Sequence, residues 1–383
     1  MRAIRISIFS VLCLSLKFSL AAVTVGSCQS DKHPYATISA AIAAAPAGGV
    51  VNVCPGTYPE QLQIDKPVTI RGIVGVATIT APNEGLNELP AASGSFPQVY
   101  VNNAGGEVKL TNLTIDGTGA LVNFEGDVTG VNQLCPTGII QDFAGVSFTN
   151  TDGVLDGVNL SNQYASSLVL DDYGPQLIPN CGSGVEFYGS SKAVVRNSNI
   201  TNSGFYGIYS DGDLTADHNV VSGGFGPHGA GITAVTGTIS SNTVTGSTGY
   251  YETTGIQGGD VVRDNNVQSA IYGIAGASKI RNNTLVNNAI SLSQVTEASD
   301  NQISTSSPTY YNPGCFNEGC DGTPTGPAYP TIGVDLGCGD GSSVRNNSVQ
   351  GAGVGFANVQ DGATIRKTNI FSNVTTTSTS CSQ

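Results

Sequence analysis

Between residues 195 and 370 the chain repeats one short phrase eight times: an apolar residue, a few polar ones, an asparagine, and another apolar residue. The phrases are Val195-Arg-Asn-Ser-Asn199-Ile, Ala216-Asp-His-Asn219-Val, Ile239-Ser-Ser-Asn242-Thr-Val, Val262-Arg-Asp-Asn-Asn266-Val, Ile280-Arg-Asn-Asn283-Thr-Leu, Ala298-Ser-Asp-Asn301-Gln-Ile, Val344-Arg-Asn-Asn347-Ser-Val and Ile365-Arg-Lys-Thr-Asn369-Ile. The asparagines follow one another at steps of 20, 23, 24, 17, 18, 46 and 22 residues, the long step being two of 23. A unit of this size cannot bury an apolar face alone, but neighbours stacked on it can, so the period predicts a solenoid.

The content of each unit selects the kind of solenoid. Gly184-Val, Gly207-Ile, Gly231-Ile, Gly255-Ile, Gly273-Ile, Gly333-Val and Gly355-Phe mark a second β-branched or apolar run in the same units, and helical spacing is nearly absent. Short strands joined by Gly, Ser and Asn turns and stacked coil on coil make an all-β, single-stranded, right-handed parallel β-helix. Asparagines at one turn would then bond as a ladder along the axis, which is the structural reading of the repeat. With 50 glycines, no tryptophan and 11% charged residues, the composition suits many tight turns around a thin aliphatic core.

Residues 1–22 read as a secretory signal: Arg2 and Arg5 precede an apolar run from Ile6, small residues follow at Ser19-Leu-Ala21, and Lys17 argues against a membrane span. The β-helix is expected over 23–374 with a Cys-containing insertion at about 304–341, and 375–383 as a low-complexity, frayed tail. Nine cysteines less Cys13 leave eight, an even number that in an exported chain reads as disulfides. The expected pairs are Cys28 with Cys54, Cys135 with Cys181, and two bridges shared among Cys315, Cys320, Cys338 and Cys381. Zinc at Cys315, Cys320 and Cys338 is the competing reading.

The stretch from Tyr35 to Gly72 reads as the short amphipathic helix Ile38-Ser-Ala-Ala-Ile42-Ala-Ala-Ala, a strand at Val50–Val53, the turn Pro55-Gly-Thr-Tyr58-Pro-Glu60, and a strand at Val68–Gly72. Such a helix caps the open N-terminal end of a solenoid core. In this order of elements the sequence resembles the right-handed parallel β-helix proteins of the pectin-lyase-like superfamily. The resemblance implies the fold and leaves the reaction open, since that superfamily includes lyases, hydrolases, esterases, epimerases and adhesins. Gly56, Tyr58 and Glu60 also match a segment of pectin methylesterases, whose Arg-Pro-Trp motif a chain without tryptophan cannot supply. Asn150-Thr-Asp152-Gly resembles the Asn-Thr-Asp segment of polygalacturonases, with Asp171-Asp172 following at their usual gap, but Gly226-Pro-His228-Gly and Ile365-Arg-Lys367 match the rest of the pattern poorly. A turn is the expected role of Asn150 and Asp152. Pro227-His228 lacks the flanking acids of the mannuronan epimerase motif.

Read from the residues, the candidate acid and base are His228 and Glu252. Each lies three residues before a marker glycine, Gly231 or Gly255, so the two should stack one strand spacing, ~4.8 Å, apart. Asp171 and Asp172 are the alternative pair, as inverting hydrolysis would use. The same register places Glu186, Tyr209, Thr233, Gln257 and Asp335 in one outward column, with Asp211 beside it, and Glu186, Tyr209, Asp211 and Gln257 are the expected substrate-binding residues. Arg196, Arg263, Arg281, Arg345 and Arg366 recur once per coil and are expected to pair with turn aspartates such as Asp217, Asp264 and Asp300. Tyr188, Tyr206 and Tyr272 are expected to pack on one another.

A net charge of −13, or −16 once the signal's three positive charges are gone, excludes nucleic acid and anionic membranes as partners. It would also repel polyuronates unless Ca²⁺, the one cofactor considered, bridged them to Asp171, Asp172 or Asp211. Cys338-Gly-Asp340-Gly is a further place for Ca²⁺, against the commoner reading as a turn. The expectation is a secreted, monomeric solenoid that acts on or binds a polysaccharide, as lyase, epimerase or glycosidase. The alternative is a non-catalytic extracellular solenoid that binds glycan or protein.

Overall fold

The computed structural model describes residues 22–30, 34–87, 89, 95–118, 142–163, 165–171, 174–223, 229–246, 253–311, 328–338, 341–360 and 362–381. The expected signal lies outside them, save for Ala22. The described chain winds as a right-handed parallel β-helix with three strands per coil. In a typical coil Ala193–Arg196 belongs to a first sheet, Asn199–Ser203 to a second, and Tyr206–Ser210 to a third. The strand Tyr206–Asp217 then turns the next corner without a break and re-enters the first sheet, as does Ala230–Ser240. The second sheet has 12 strands, and those two bent strands merge the other two sheets into one of 23.

Alternation along each strand sends one set of side chains inward. The first sheet contributes Val195, Ala216, Ile239, Val262, Ile280, Ala298 and Val344. The second gives Ile200, Val221, Val244, Val267, Leu285, Ile303 and Val349, and the third Ile208, Ile232, Ile256, Ile274, Leu292, Val334 and Phe356. Each of these larger aliphatics contributes about 1.5–3 kcal/mol by leaving water. The glycine before the third-sheet aliphatic follows from the same closeness: a Cβ on Gly207 would strike Val221 Cγ1 and the carbonyl of Gly231, and one on Gly184 would lie 2.5 Å from the carbonyl of Gly207.

The corner between first and second sheets carries the ladder. Asn219, Asn242, Asn265, Asn283, Asn301 and Asn347 are at most 1% exposed. From Asn242 onward each Oδ1 accepts the backbone N–H and the Nδ2 of the asparagine one coil back, as Asn265 Oδ1 does from Asn242 N (2.9 Å) and Nδ2 (3.0 Å), while Asn219 Oδ1 accepts the N–H of Ser198. Each Nδ2 also donates to a strand carbonyl, so the amide is fully used. Two expected members are displaced by one residue. Ser198, not Asn199, precedes Asn219 in the ladder, and Asn265, not Asn266, follows Asn242. The ladder residue comes directly after a left-handed residue (Asn197, His218, Ser241, Asp264, Asn282, Asp300, Asn346), while Asn199 and Asn266 open the second-sheet strand and face solvent.

The N-terminal helix, Ile38–Ala44, covers the core with Ile38, Ala41 and Ile42. Thr37 caps it, and Glu60 accepts from Ile38 N (2.7 Å), Ser39 N (2.9 Å) and Ser39 Oγ (2.6 Å). The Tyr58 hydroxyl donates to the Cys54 carbonyl (2.8 Å), and Lys66 Nζ donates to the helix-end carbonyls of Ala43 and Ala45. The Gly-x-Tyr-x-Glu segment is therefore a latch for the cap. Cys28 is bonded to Cys54, as expected, and Cys338 to Cys381, one of the pairings left open. That second bridge removes Cys338 from the zinc reading; Cys135, Cys315 and Cys320 lie outside the described residues. The tail differs from its composition: Thr376–Ser380 is exposed but pairs in parallel with Val354–Val359, because the coil before it offers an open edge and the bridge at Cys381 holds it there.

Replacing Asn283 with alanine strands the buried N–H of Asn265, takes one acceptor from its Nδ2, and removes the side-chain donor to the carbonyls of Val262 and Arg281. The expected loss is about 3 kcal/mol or more, against about 0.5 kcal/mol or less for Asn266→Ala on the exposed strand start. Urea unfolding of the two variants measures the difference, and the reverse order would displace the ladder by one residue.

Candidate functional site on the third sheet

The outward side chains of the third sheet form one column by register: Gln63, Tyr100, Ser147, Glu186, Tyr209, Thr233, Gln257, Ala275, Ser293, Asp335 and Ala357. Glu186, Tyr209, Thr233, Gln257 and Asp335 thus share the column that the glycine markers predict. Inward neighbours fix the direction: Val185 and Phe187 lie in the core, so Glu186 points away from it. Gln63 is exposed, but Tyr100, Ser147 and Glu186 are at most 3% exposed, so the column is covered over those three coils. It emerges at the half-buried Tyr209, whose ring lies 5.2 Å from that of Tyr188 and 5.0 Å from that of Tyr206. Tyr272, expected in the same stack, stands apart, because Ala230 and Thr254 separate it from Tyr206 in their column. Asp211 is exposed and receives the Gly189 N–H on both carboxylate oxygens (2.9 and 3.0 Å).

Farther along, the column sinks into a groove of about 630 Å³. Gln257 and Asp335 stand on its floor with the small residues Ala275 and Ser293 between them, and the shortness of those two side chains makes the depression. Thr254, Tyr272 and Ile290 line the side toward the second sheet; Gln294, Thr296 and Gly337 line the other. Asp335 Oδ1 accepts from Gly337 N (2.9 Å) and Asn358 Nδ2 (2.8 Å), which holds that rim in place. The sequence reading missed Ala275 and Ser293. Ala275 was legible as the residue two after Gly273, whereas the coil of Ser293 has Ser291 where others carry the marker glycine.

His228, Glu252 and Asp172 lie outside the described residues. The flanking pairs Ala230 with Thr254 and Ile232 with Ile256 do align Gly231 with Gly255, the premise of the His228–Glu252 pairing. Asp171 ends the first strand of an antiparallel hairpin, Ala165–Asp171 with Gly174–Cys181, opposite Gly174. Asp152 takes Ser191 Oγ (2.8 Å) and Lys192 N (2.9 Å), the turn role expected of it. Among the described residues no three His, Cys, Asp or Glu side chains converge as a metal cage.

The ladder corner is electrostatically organised but committed to structure. Arg196 pairs with Asp156 (2.8 Å) and Arg263 with Asp264. Hydrogen bonds from Asn197, Asn282 and Asn346 hold the carboxyls of Asp156, Asp264 and Asp300 below the ordinary aspartate range, the nearby arginines adding to the effect. At Asp116 and Asp217 burial pushes the carboxyl up, and hydrogen bonds, led by Asn162 and Ser240 respectively, outweigh it so that both end below the ordinary value. The expected partners of Asp217 are likewise revised: it receives Ser240 Oγ (2.7 Å) and lies 2.7 Å from His218 Nδ1.

Residues 25–309 match the family described as "Protein of unknown function (DUF1565)". No curated protein matches the chain. Among solved structures it is similar to the GH136 lacto-N-biosidase from Eubacterium ramulus, at 12% identity and a TM-score of 0.52 over 92% of this chain and 67% of that one. The Dettilon tailspike protein (gp208) matches at 14% identity and 0.48 over 84% of this chain, which spans 61% of the tailspike's length. PfbA, a surface adhesin of Streptococcus pneumoniae, matches at 14% identity and 0.47 over 89% of this chain and 87% of that one. At these identities the likeness concerns the fold.

The depressed aspartates make stability depend on pH with a definite sign. Their folded pKa values lie below the unfolded value of ~3.9, so their contribution is complete above that value and is lost as pH falls through the folded pKa values. Thermal melts between about pH 6 and pH 2 should show a melting temperature that drops below about pH 4, and Asp264→Asn should flatten that drop.

Proposed function

The chain belongs to the DUF1565 family of right-handed parallel β-helix proteins, within the pectin-lyase-like superfamily, and from that premise we propose that it binds or acts on a polysaccharide along the outward column of its third sheet. The observation that carries this reading is the groove. It runs over the coils of Gln257, Ala275, Ser293 and Asp335, ~4.8 Å per coil, and offers an amide on the first, a hydroxyl on the third and a carboxylate on the fourth. A chain of pyranose rings presents hydroxyls at a comparable repeat, so Gln257, Ser293 and Asp335 can each serve one ring. Tyr209 and Asp211 would continue the surface toward the N-terminus, whereas Glu186, expected to bind substrate, is 3% exposed and takes no part in it.

Catalysis, in this proposal, belongs to His228 and Glu252, each three residues before a marker glycine, Gly231 or Gly255, in the sequence. A carboxylate beside an imidazole fixes its tautomer and favours proton transfer, as a lyase, epimerase or hydrolase requires. Asp171 and Asp172 are the second candidate pair. Holding without cleavage is the other reading, and one observation favours it: the carboxylates of Asp211 and Asp335 already accept bonds from the turns beside them, as fixed binding groups do. Ca²⁺ would enter only with a uronate ligand. Among the described residues the two disulfides fit an oxidising compartment, and no helix is long and apolar enough to cross a membrane. We take the protein to be secreted and monomeric.

The test is a screen of the purified protein against neutral and acidic polysaccharides, with and without Ca²⁺, following retention, reducing ends and the absorbance of unsaturated products together. Retention of a neutral glycan, weakened about tenfold by Gln257→Ala, is the expected result. Reducing ends with absorbance would identify a lyase, and reducing ends alone a hydrolase. Activity lost in His228→Ala would place the chemistry at the first pair; full activity there would remove it. No retention and no product on any glycan would overturn the reading.

A further inference from the structure

The expected pairing of one arginine per coil with a turn aspartate holds over part of the first sheet and then fails. By register, Arg263, Arg281, Ser299 and Arg345 follow one another in a single column. Their strand neighbours Val262, Ile280, Ala298 and Val344 lie in the core, which sends these four outward. Arg366 continues the column, because Thr364–Ile365 pairs with Ser343–Val344 and the Arg366 N–H reaches the Val344 carbonyl (3.0 Å). In the coils before Arg263 the charges are taken up locally: Arg196 pairs with Asp156 (2.8 Å), and Asp217 receives Ser240 Oγ (2.7 Å).

From Arg281 onward they are not. Among the described residues, none of Arg281, Arg345 and Arg366 has a carboxylate within ion-pair distance. Asp264 and Asp300 feel the charge of Arg281 and Arg345 respectively, but other groups hold their carboxylates: Asn282 Nδ2 (2.6 Å) and Arg263 bond Asp264, and Asn346 Nδ2 (3.0 Å) bonds Asp300. Lys279 and Glu297, opposite one another in the neighbouring outward column, offset each other. Four arginines, Arg263 included, against those two aspartates leave the ridge positive. Arg281 and Arg366 are exposed and Arg345 is half-buried, so three unpaired guanidinium groups stand within three coil steps, roughly 14 Å. The chain as a whole carries −13, yet at physiological salt charges beyond about 8 Å are largely screened. A ligand at this surface meets the arginines.

We propose that Arg281, Arg345 and Arg366 form a second binding site, on the outer face of the first sheet, for a sulfated polysaccharide lying along the coil axis. Each arginine takes a separate sulfate, so no single group has to bridge coils. Arg345 and Arg366 stand one coil apart and Arg281 and Arg345 two, with the short Ser299 between them. Sulfates on neighbouring and alternate rings of one chain therefore suffice. The ridge is built of arginine, whose planar fork bonds an oxyanion through two N–H groups and whose charge is weakly hydrated. A sulfate ester spreads its charge over three oxygens and is weakly hydrated as well, so the pair loses little water on meeting; a carboxylate, smaller and more strongly hydrated, loses more. A sulfate also stands off its ring on an ester oxygen, which lets it reach a guanidinium past Asp264 and Asp300. The site does not rest on the groove reading, and neither stands or falls with the other.

Titration calorimetry of the full chain against dextran sulfate, unsulfated dextran, polygalacturonate and a single-stranded DNA oligonucleotide decides the matter. Dextran sulfate should bind, dextran should not, and the affinity should fall as salt rises. The double variant Arg281→Ala/Arg345→Ala should bind dextran sulfate about tenfold more weakly or worse, with Arg281→Ala alone, at an exposed position, moving the same way. Arg345→Lys keeps the charge but loses the fork, and should fall between the parent and the double variant. Arg196→Ala removes an arginine from the same column that is already paired, and should bind as the parent does. No binding of dextran sulfate at low salt, parent-like affinity in the double variant, or as large a loss in Arg196→Ala as in Arg281→Ala would overturn the site. Tighter binding of polygalacturonate or of the oligonucleotide than of dextran sulfate would overturn the assignment to sulfate. Each of these outcomes leaves the groove on the third sheet untouched.

Discussion

The structure depends on buried amides finding partners one coil away. A parallel solenoid turns sharply at every corner, and each turn leaves backbone N–H and C=O groups facing the interior, where an unpaired group costs about 1–3 kcal/mol. At the corner between first and second sheets an asparagine answers that need from both sides: its Oδ1 takes the donors of the coil before, and its Nδ2 returns bonds to strand carbonyls. The left-handed residue just before it turns the chain so that this side chain points inward. Once the corner is fixed, the aliphatic columns follow, because alternation from a fixed corner leaves only one set of side chains able to enter the core.

Much of this was readable from the sequence, and the misplacements are instructive. The coil length, the short stacked strands and the capping helix follow from Asn spacing, Gly-aliphatic pairs and the amphipathic run at Ile38, whereas the number of strands per coil, three, comes from the structure. Asn199 and Asn266 were misassigned because a run such as Arg263-Asp-Asn-Asn266 offers two asparagines, and only the backbone conformation of Asp264 says which one turns inward. At Asn199 the choice was hidden more deeply, since a serine, Ser198, does the ladder's work there. The tail was misread for a related reason: a Thr/Ser run is featureless by composition, and its pairing is imposed by the neighbouring open edge and by Cys381.

The candidate site divides in the same way. Its column was legible because a glycine that permits close approach of coils also fixes the register of the residue two positions later, so Tyr209, Thr233 and Gln257 align without reference to any contact. Its depth was not, because a groove is made by what Ala275 and Ser293 lack, and small residues carry no signal of their own. Nor could the sequence say that Glu186 is covered while Gln257 is open, a difference set by what lies over each coil. The comparisons reach the fold and stop there, so the chemistry rests on individual side chains.

The ladder also has a direction. Every amide in it is oriented alike, oxygen toward the preceding coil and N–H toward the next, from Asn219 through Asn347. Aligned hydrogen-bonded dipoles polarise one another, so each member strengthens the bonds of both neighbours. The corner therefore acts as a single polar filament threaded through the molecule; at one end Ser198 still takes the Val158 N–H of the coil before (3.2 Å), and it is weakest at the other, where the less deeply set Asn369 has a ladder neighbour on one side only. Cohesion in this protein is graded along its axis, and the groove lies over the span where the filament has neighbours in both directions.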